Sequence, residues 1–302
     1  MENLQKIMVV IDANEDYSNA PDGLPIELRK ALQLVQDKGQ TELKLISVGY
    51  ERYLSHSFRS IGYDYTKLRQ EYVTRLKSAM DQMVEKLSAE GYSISCEVGW
   101  AHPRYEAIVK MAQDFGADLL IQHCRAFAKL KNEHLTHESW NLVKYCPLPL
   151  LLVKDANWFE PFTVMVAVDP VHSHNKPLRL DHKLIKAADT FAKNMGGKCH
   201  VIHAYAETAR PFAPAGQIKA EHEAAFNELM SDFEIPAEQR HLVDDDPVDA
   251  IHAFEKSLGA DVVVMGAISR SRFSEALVGS TAESVLDYVK IDILIIKPDS
   301  AL

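Results

Sequence analysis

The sequence predicts an α/β protein made of two tandem, doubly wound domains. Three observations lead there. Short, continuously apolar runs alternate with amphipathic segments along the whole chain, the pattern of βαβ units around a buried parallel sheet. The chain repeats itself: residues 107–154 align without a gap on residues 250–297, a shift of 143 that carries Gly116-Ala117-Asp118 onto Gly259-Ala260-Asp261 and Lys154 onto Lys297. Each half also opens alike, with an apolar run that ends in an acid, Met8-Val9-Val10-Ile11-Asp12 and Val164-Met165-Val166-Ala167-Val168-Asp169.

In chain order, strands are expected in the first half at 6–12, 43–49, 93–99, 118–123 and 149–154. Helices are expected at 25–38, 64–90, 104–115 and 138–145. The long helix is placed by Leu68, Tyr72, Leu76, Ala79, Met83 and Leu87, spaced by threes and fours. Strands of the second half fall at 163–169, 199–205, 239–243, 261–266 and 292–297, and helices at 180–195, 216–232, 247–257 and 280–289. Gly116 and Gly259 sit where left-handed C-terminal caps belong, and Pro103 and Pro247 sit near helix starts. The polar, proline-bearing stretch Asp155–Pro161 reads as a short linker, giving domains 1–156 and 157–302. Ligands are expected at the carboxyl ends of the strands.

Composition narrows the function. The chain has 302 residues, 47% hydrophobic and 25% charged, with a formal net charge of -10. An acidic surface repels phosphate backbones, so no nucleic-acid partner is expected. No apolar run reaches the roughly 18 residues of a membrane span, and Met1–Ile11 has no basic segment leading into a long apolar one. A cytoplasmic protein without membrane contact is the expectation. Cys96, Cys124, Cys146 and Cys199 are far apart and read as small apolar core residues.

One stretch carries chemistry. After the strand ending Met265-Gly266, a polar and partly basic loop runs through Ile268-Ser269-Arg270-Ser271-Arg272, and Gly279-Ser280-Thr281 then opens a helix. Glycines let backbone N–H groups approach an anion, a helix N-terminus offers free donors and the positive end of its dipole, and the hydroxyls of Ser280 and Thr281 add donors. The bland reading competes on equal terms, because Ser280-Thr281-Ala282-Glu283 is also a capping box that satisfies the helix without a ligand. Subtracting 143 from Gly266, Ser269, Gly279 and Ser280 gives His123, Ala126, Thr136 and His137, so the first half lacks the cradle and reads as structural or as a wall for a differently shaped ligand.

With its opening strands ending in Asp and its Gly266-x2-Ser269-x9-Gly279-Ser280 loop, the sequence resembles the universal stress protein family, whose nucleotide-binding members carry Gly-x2-Gly-x9-Gly-Ser/Thr. Trp140-Asn141-Leu142-Val143-Lys144-Tyr145-Cys146-Pro147 and Val153-Lys154-Asp155 resemble its tandem bacterial branch. The resemblance implies two tandem Rossmann-like domains, each a five-stranded parallel sheet with helices on both faces, and a stress-response protein without a settled catalytic activity; the reading is a regulator, not an enzyme, with a ligand-free scaffold and, after it, a slow nucleotide hydrolase as alternatives. It places Asp169 near a ribose or adenine, Ala167, Val168, His203 and Ala204 beside the base, and Met265, Gly266, Ile268, Ser269, Gly279, Ser280 and Thr281 around the phosphates. ATP or another phosphorylated nucleotide is the implied ligand, with no certain cofactor. Ser269 stands where the family has glycine, and its Cβ restricts the backbone there. An unidentified protein partner, an intramolecular pseudo-dimer of the two halves and a further homodimer complete the expectation.

Other clusters carry less. His172-x-His174 and His134-x2-His137, with His123, have weak zinc-ligand spacing, and solvated loop histidines are commoner. Asp244-Asp245-Asp246 reads first as acids flanking a helix start. The apolar residues Tyr53, Leu54, Phe58 and Ile61, and Pro211, Phe212, Ala213 and Pro214, follow the second strand of each half. They suit packing, or an apolar cavity for a ligand with a greasy part.

Overall fold

A computed structural model describes residues 4–50, 65–124, 136–171, 179–207, 214, 216–267, 284–286, 288–298 and 300. The chain forms two compact units, one from residues up to His123 together with His137–Leu142, the other chiefly from Val143 onward. The N-terminal unit contains β1 (Lys6–Val10), α1 (Ile26–Leu34), β2 (Glu42–Gly49), α2 (Tyr65–Ala89), β3 (Ser93–Trp100), α3 (Arg104–Phe115), β4 (Leu119–His123) and the start of α4 (His137–Tyr145). Its strands run parallel in the order β3-β2-β1-β4. The C-terminal unit contains β5 (Leu150–Val153), β6 (Thr163–Ala167), α5 (Leu180–Asn194), β7 (Lys198–Tyr205), α6 (Gln217–Met230), β8 (Arg240–Asp244), α7 (Pro247–Leu258), β9 (Val262–Gly266) and β10 (Asp292–Ile296). Their order is β5-β10-β9-β6-β7-β8.

All ten expected strands form within one or two residues of their places. One pairing departs from an all-parallel sheet. β5, the last strand of the first repeat, runs antiparallel to β10, the last strand of the second. Leu151 pairs with Leu294, its own repeat equivalent, and the flanking pairs Leu150–Ile295 and Leu152–Ile293 exchange under the same relation. The two strands are therefore related by a local twofold through that central pair. Both are buried along their whole length, and this pairing hides the edge that each apolar strand would otherwise expose.

The repeat is also legible in the clamps that start each half. Asp118 accepts hydrogen bonds from the backbone N–H of Gln5 and Lys6, at 2.9 and 2.8 Å. Its repeat equivalent Asp261 accepts from Phe159 and Thr163, both at 2.8 Å. Each carboxylate thus fastens the entry of an opening strand. Gly116 and Gly259 adopt φ of 70° and 59° after α3 and α7, as their places demanded. Asp246 caps α7, its side chain accepting from Val248 N–H at 2.8 Å, so the acidic run serves the helix start.

Of the residues that place α2, Leu76 and Leu87 are buried and Leu68, Tyr72, Ala79 and Met83 are half-buried; Met80, outside that set, is buried as well. The linker segment 155–161 is tied down in the C-terminal unit. Trp158 packs edge-on against Phe162 and Phe191, at 5.1 and 6.0 Å between ring centroids, and donates to Asp292. Cys124, Cys146 and Cys199 are buried. Burial pushes Cys199 up to about 12, which leaves it protonated and inert.

Candidate functional site

Doubly wound sheets gather residues at the carboxyl ends of their central strands. In the C-terminal unit β6 lies between β9 and β7, so three strand ends from distant stretches of sequence meet. Ala167, Val168 and Asp169 leave β6, His203 and Ala204 lie near the end of β7, and Met265 and Gly266 end β9. Ile268, Ser269, Gly279, Ser280 and Thr281 lie outside the described residues, as do His134, His172, His174 and all the named apolar loop residues except Pro214.

The corner is braced from α5. The backbone N–H of Asp169 donates to Asp181 Oδ1 at 3.2 Å, and Asp181 is buried in the first turn of that helix. Leu180, beside it, packs under Gly266. A Cβ at Gly266 would lie 3.0 Å from Leu180 Cδ2 and 3.5 Å from Leu184 Cδ1. Close helix–strand approach therefore accounts for a glycine here whether or not a phosphate also needs one.

His203 is only 1% exposed. Its Nδ1 lies 3.1 Å from Val168 O and its Nε2 lies 2.8 Å from His222 Nδ1. A carbonyl only accepts, so His203 carries its proton on Nδ1 and His222 must be the donor of the second bond. Both ring nitrogens of His203 are thereby engaged within the protein. The residue positions the end of β6 against β7 and α6. His222 stacks on the other side against Tyr205, at 5.4 Å. Sequence reasoning passed over Leu180, Asp181 and His222, since nothing in their local spacing says that α5 and α6 lean on these strand ends.

A second imidazole pair bridges β7 and the adjacent β8. His200 Nδ1 and His241 Nε2 are 3.0 Å apart with their rings stacked, and Phe254 of α7 packs on His241. Burial is the main cause that holds His200, His203 and His241 below the usual imidazole range; the neighbouring His241 and Lys198 add to the effect on His200. The sign of the linkage follows. The unfolded chain takes up these protons near pH ~6.5 while the folded chain refuses them. The stability these pairs support is complete above that pH and is lost as pH falls from there toward the lowered folded values. Thermal midpoints measured from pH 8 down to pH 5.5 should fall, and His200→Gln should flatten the slope; a midpoint independent of pH would refute the pairing.

In the N-terminal unit the equivalent corner is built differently. Gln122 stands at the place of Met265 and Glu138 at the place of Thr281. Gln122 Nε2 donates to Glu138 Oε1 at 2.9 Å, and Arg104 Nε lies 3.2 Å from Glu138 Oε2. His137, the equivalent of Ser280, bonds through Nδ1 to Asn141 at 3.0 Å. Among the described residues no group of three or more His, Cys, Asp or Glu is placed to hold a metal ion, and no helix is long and apolar enough to cross a membrane.

Comparison with known proteins agrees with this architecture. Residues 162–297 match the model of the universal stress protein family. Over 99% of its length the chain is 28% identical to the universal stress protein E of Photorhabdus laumondii and to that of Escherichia coli K12, covering 96% of each. It is 23% identical to the homologue in Haemophilus influenzae, with 97% of both chains covered. Among solved structures, a Pseudomonas aeruginosa UCBPP-PA14 protein assigned to the universal stress proteins superposes with a TM-score of 0.75 at 26% identity, over 99% of this chain and 95% of that one. A universal stress protein of Archaeoglobus fulgidus shares the fold, with a TM-score of 0.60 at 17% identity, over 98% and 99% of the two chains.

Proposed function

Because residues 162–297 match the universal stress protein family and the whole chain is similar to its E-type members, we propose that it is a cytoplasmic stress-response regulator which binds a nucleotide or related phosphorylated ligand in its C-terminal unit. The observation that carries this reading is the convergence of Ala167, Asp169, Ala204, Met265 and Gly266 at one set of strand ends, with Gly279-Ser280-Thr281 following Gly266 in the sequence after twelve residues. Half-exposed Asp169 suits a ribose hydroxyl, the small side chains of Ala167 and Ala204 leave room for a flat base, and the loop's amides suit phosphate oxygens. The protein acts by binding, without catalysis. Occupancy stabilises one form of the surface and so changes affinity for an unidentified protein partner. The twofold pairing of Leu151 with Leu294 supports reading the tandem halves as the internal counterpart of a dimer, with further homodimerisation open to the intact chain.

Calorimetry with ATP, ADP, AMP and nucleotide-linked amphiphiles tests the reading. Heat of binding is expected for at least one of them, and Gly279→Arg should abolish it by filling the cradle. No heat from any of these ligands at millimolar concentration would remove the proposal. A second reading, a scaffold that needs no ligand, draws on the packing of Leu180 against Gly266. It predicts that Gly279→Arg leaves partner capture unchanged.

A further inference from the structure

The N-terminal unit carries a coordinated set of substitutions at the corner where the C-terminal unit is read as binding its ligand. Relative to the second repeat, Thr281 becomes Glu138, Pro247 becomes Arg104 and Met265 becomes Gln122. One change adds a negative charge, one adds a positive charge and one adds an amide. The fold brings the three together. Glu138, in the first turn of α4, accepts from Gln122 Nε2 at 2.9 Å and faces Arg104 Nε at 3.2 Å. Asp12, the equivalent of Asp169, is close enough to act on Glu138 electrostatically. Burial is the main reason the Glu138 carboxyl sits above its ordinary value; Arg104 opposes that rise, Asp12 adds to it and the Gln122 bond opposes it.

The cluster is incompletely satisfied. Gln122 is 6% exposed, and its buried Oε1 meets no hydrogen-bond donor among the described residues. Arg104 Nε is buried as well, and its approach to Oε2 lacks hydrogen-bond alignment. A buried acceptor lacking a donor and a buried donor lacking a well-aligned acceptor thus flank one carboxylate, a costly arrangement for a group that serves packing alone. Hydrogen phosphate has the complementary chemistry: an O–H for Gln122 Oε1 and anionic oxygens for Arg104 and the first turn of α4.

We propose that Glu138 is a tethered anion that fills the N-terminal corner and bars phosphorylated ligands from it, and that its removal uncovers a phosphate site formed by Arg104, Gln122 and the start of α4. The inference rests on the same reading of the corner in the C-terminal unit, and it explains why one of the two repeats would take ligand. Equilibrium dialysis with radiolabelled inorganic phosphate tests it on the full chain. Wild-type uptake reports the C-terminal corner; the increment on Glu138→Thr reports the inference alone. Glu138→Thr should bind one more phosphate per chain than wild type at millimolar phosphate, and Glu138→Thr with Arg104→Gln should lose that increment. Circular dichroism establishes that each variant is folded, and Glu138→Ser takes the place of the threonine variant if that one is not. A folded variant with wild-type uptake, or an increment that survives Arg104→Gln, overturns the proposal.

Discussion

Gly197→Ala is expected to destabilise the C-terminal unit strongly. Gly197 joins α5 to β7, and its N–H donates to Ala192 O at 2.8 Å. A Cβ on this residue would lie inside the van der Waals envelope of the Phe162 carbonyl oxygen and against Phe162 Cβ. That oxygen accepts from Lys198 N–H at 2.9 Å, the first bond that sets β7 beside β6. Relief therefore means moving a backbone carbonyl and breaking the register of two central strands. Overpacking against backbone places the cost at about 4 kcal/mol or more, equivalent to a fall of about 10 °C in the thermal midpoint. Gly266→Ala is the control, because its new methyl meets the flexible end of Leu180, and it should cost only about 1 kcal/mol. Equal midpoints for the two variants in a thermal melt would contradict this account.

The second large effect is expected at Asp292. The residue is 1% exposed. Its Oδ1 accepts from Lys154 N–H at 2.7 Å and its Oδ2 from Trp158 Nε1 at 2.8 Å. It stands at the start of β10, where its own N–H donates to Asp261 O at 3.1 Å. One carboxylate thus holds the segment joining the two repeats onto the second of them. Alanine takes this acceptor away from the Lys154 amide and from the Trp158 indole, at a cost of about 3 kcal/mol, and should shift Trp158 emission to the red. Asparagine keeps the shape but turns an NH₂ toward one of the two donors, so most of the loss should remain. A denaturation midpoint for Asp292→Asn equal to that of wild type would show that the bonds contribute little.

Much of the fold was readable along the chain because its causes are local. Apolar runs such as Val262-Val263-Val264 are buried on both faces and read as strands wherever they fall. The caps at Gly116 and Gly259 announce themselves by residue type, since glycine adopts positive φ without strain. In α2 the spacing located Leu76 and Leu87 but not Met80, because spacing by threes and fours defines a face and leaves its deepest line to the packing of other elements. The site was legible as a set of strand ends and a glycine-bearing loop. The bracing by Leu180, Asp181 and His222 was not, because each acts across 12 to 86 residues of chain.

By itself, the sequence determined the repeat and the order of strands and helices and pointed to the family, through continuous apolar runs, helical spacing, a self-alignment at a shift of 143 and a motif within one loop. Tertiary structure alone decided that β5 turns antiparallel against β10, that Asp118 and Asp261 clamp the opening strands, and that Glu138, Gln122 and Arg104 converge at one corner. Hydrogen bonds and ion pairs form over a few ångströms, and which charged groups come within that reach depends on sheet register and helix rotation, quantities that no local pattern encodes.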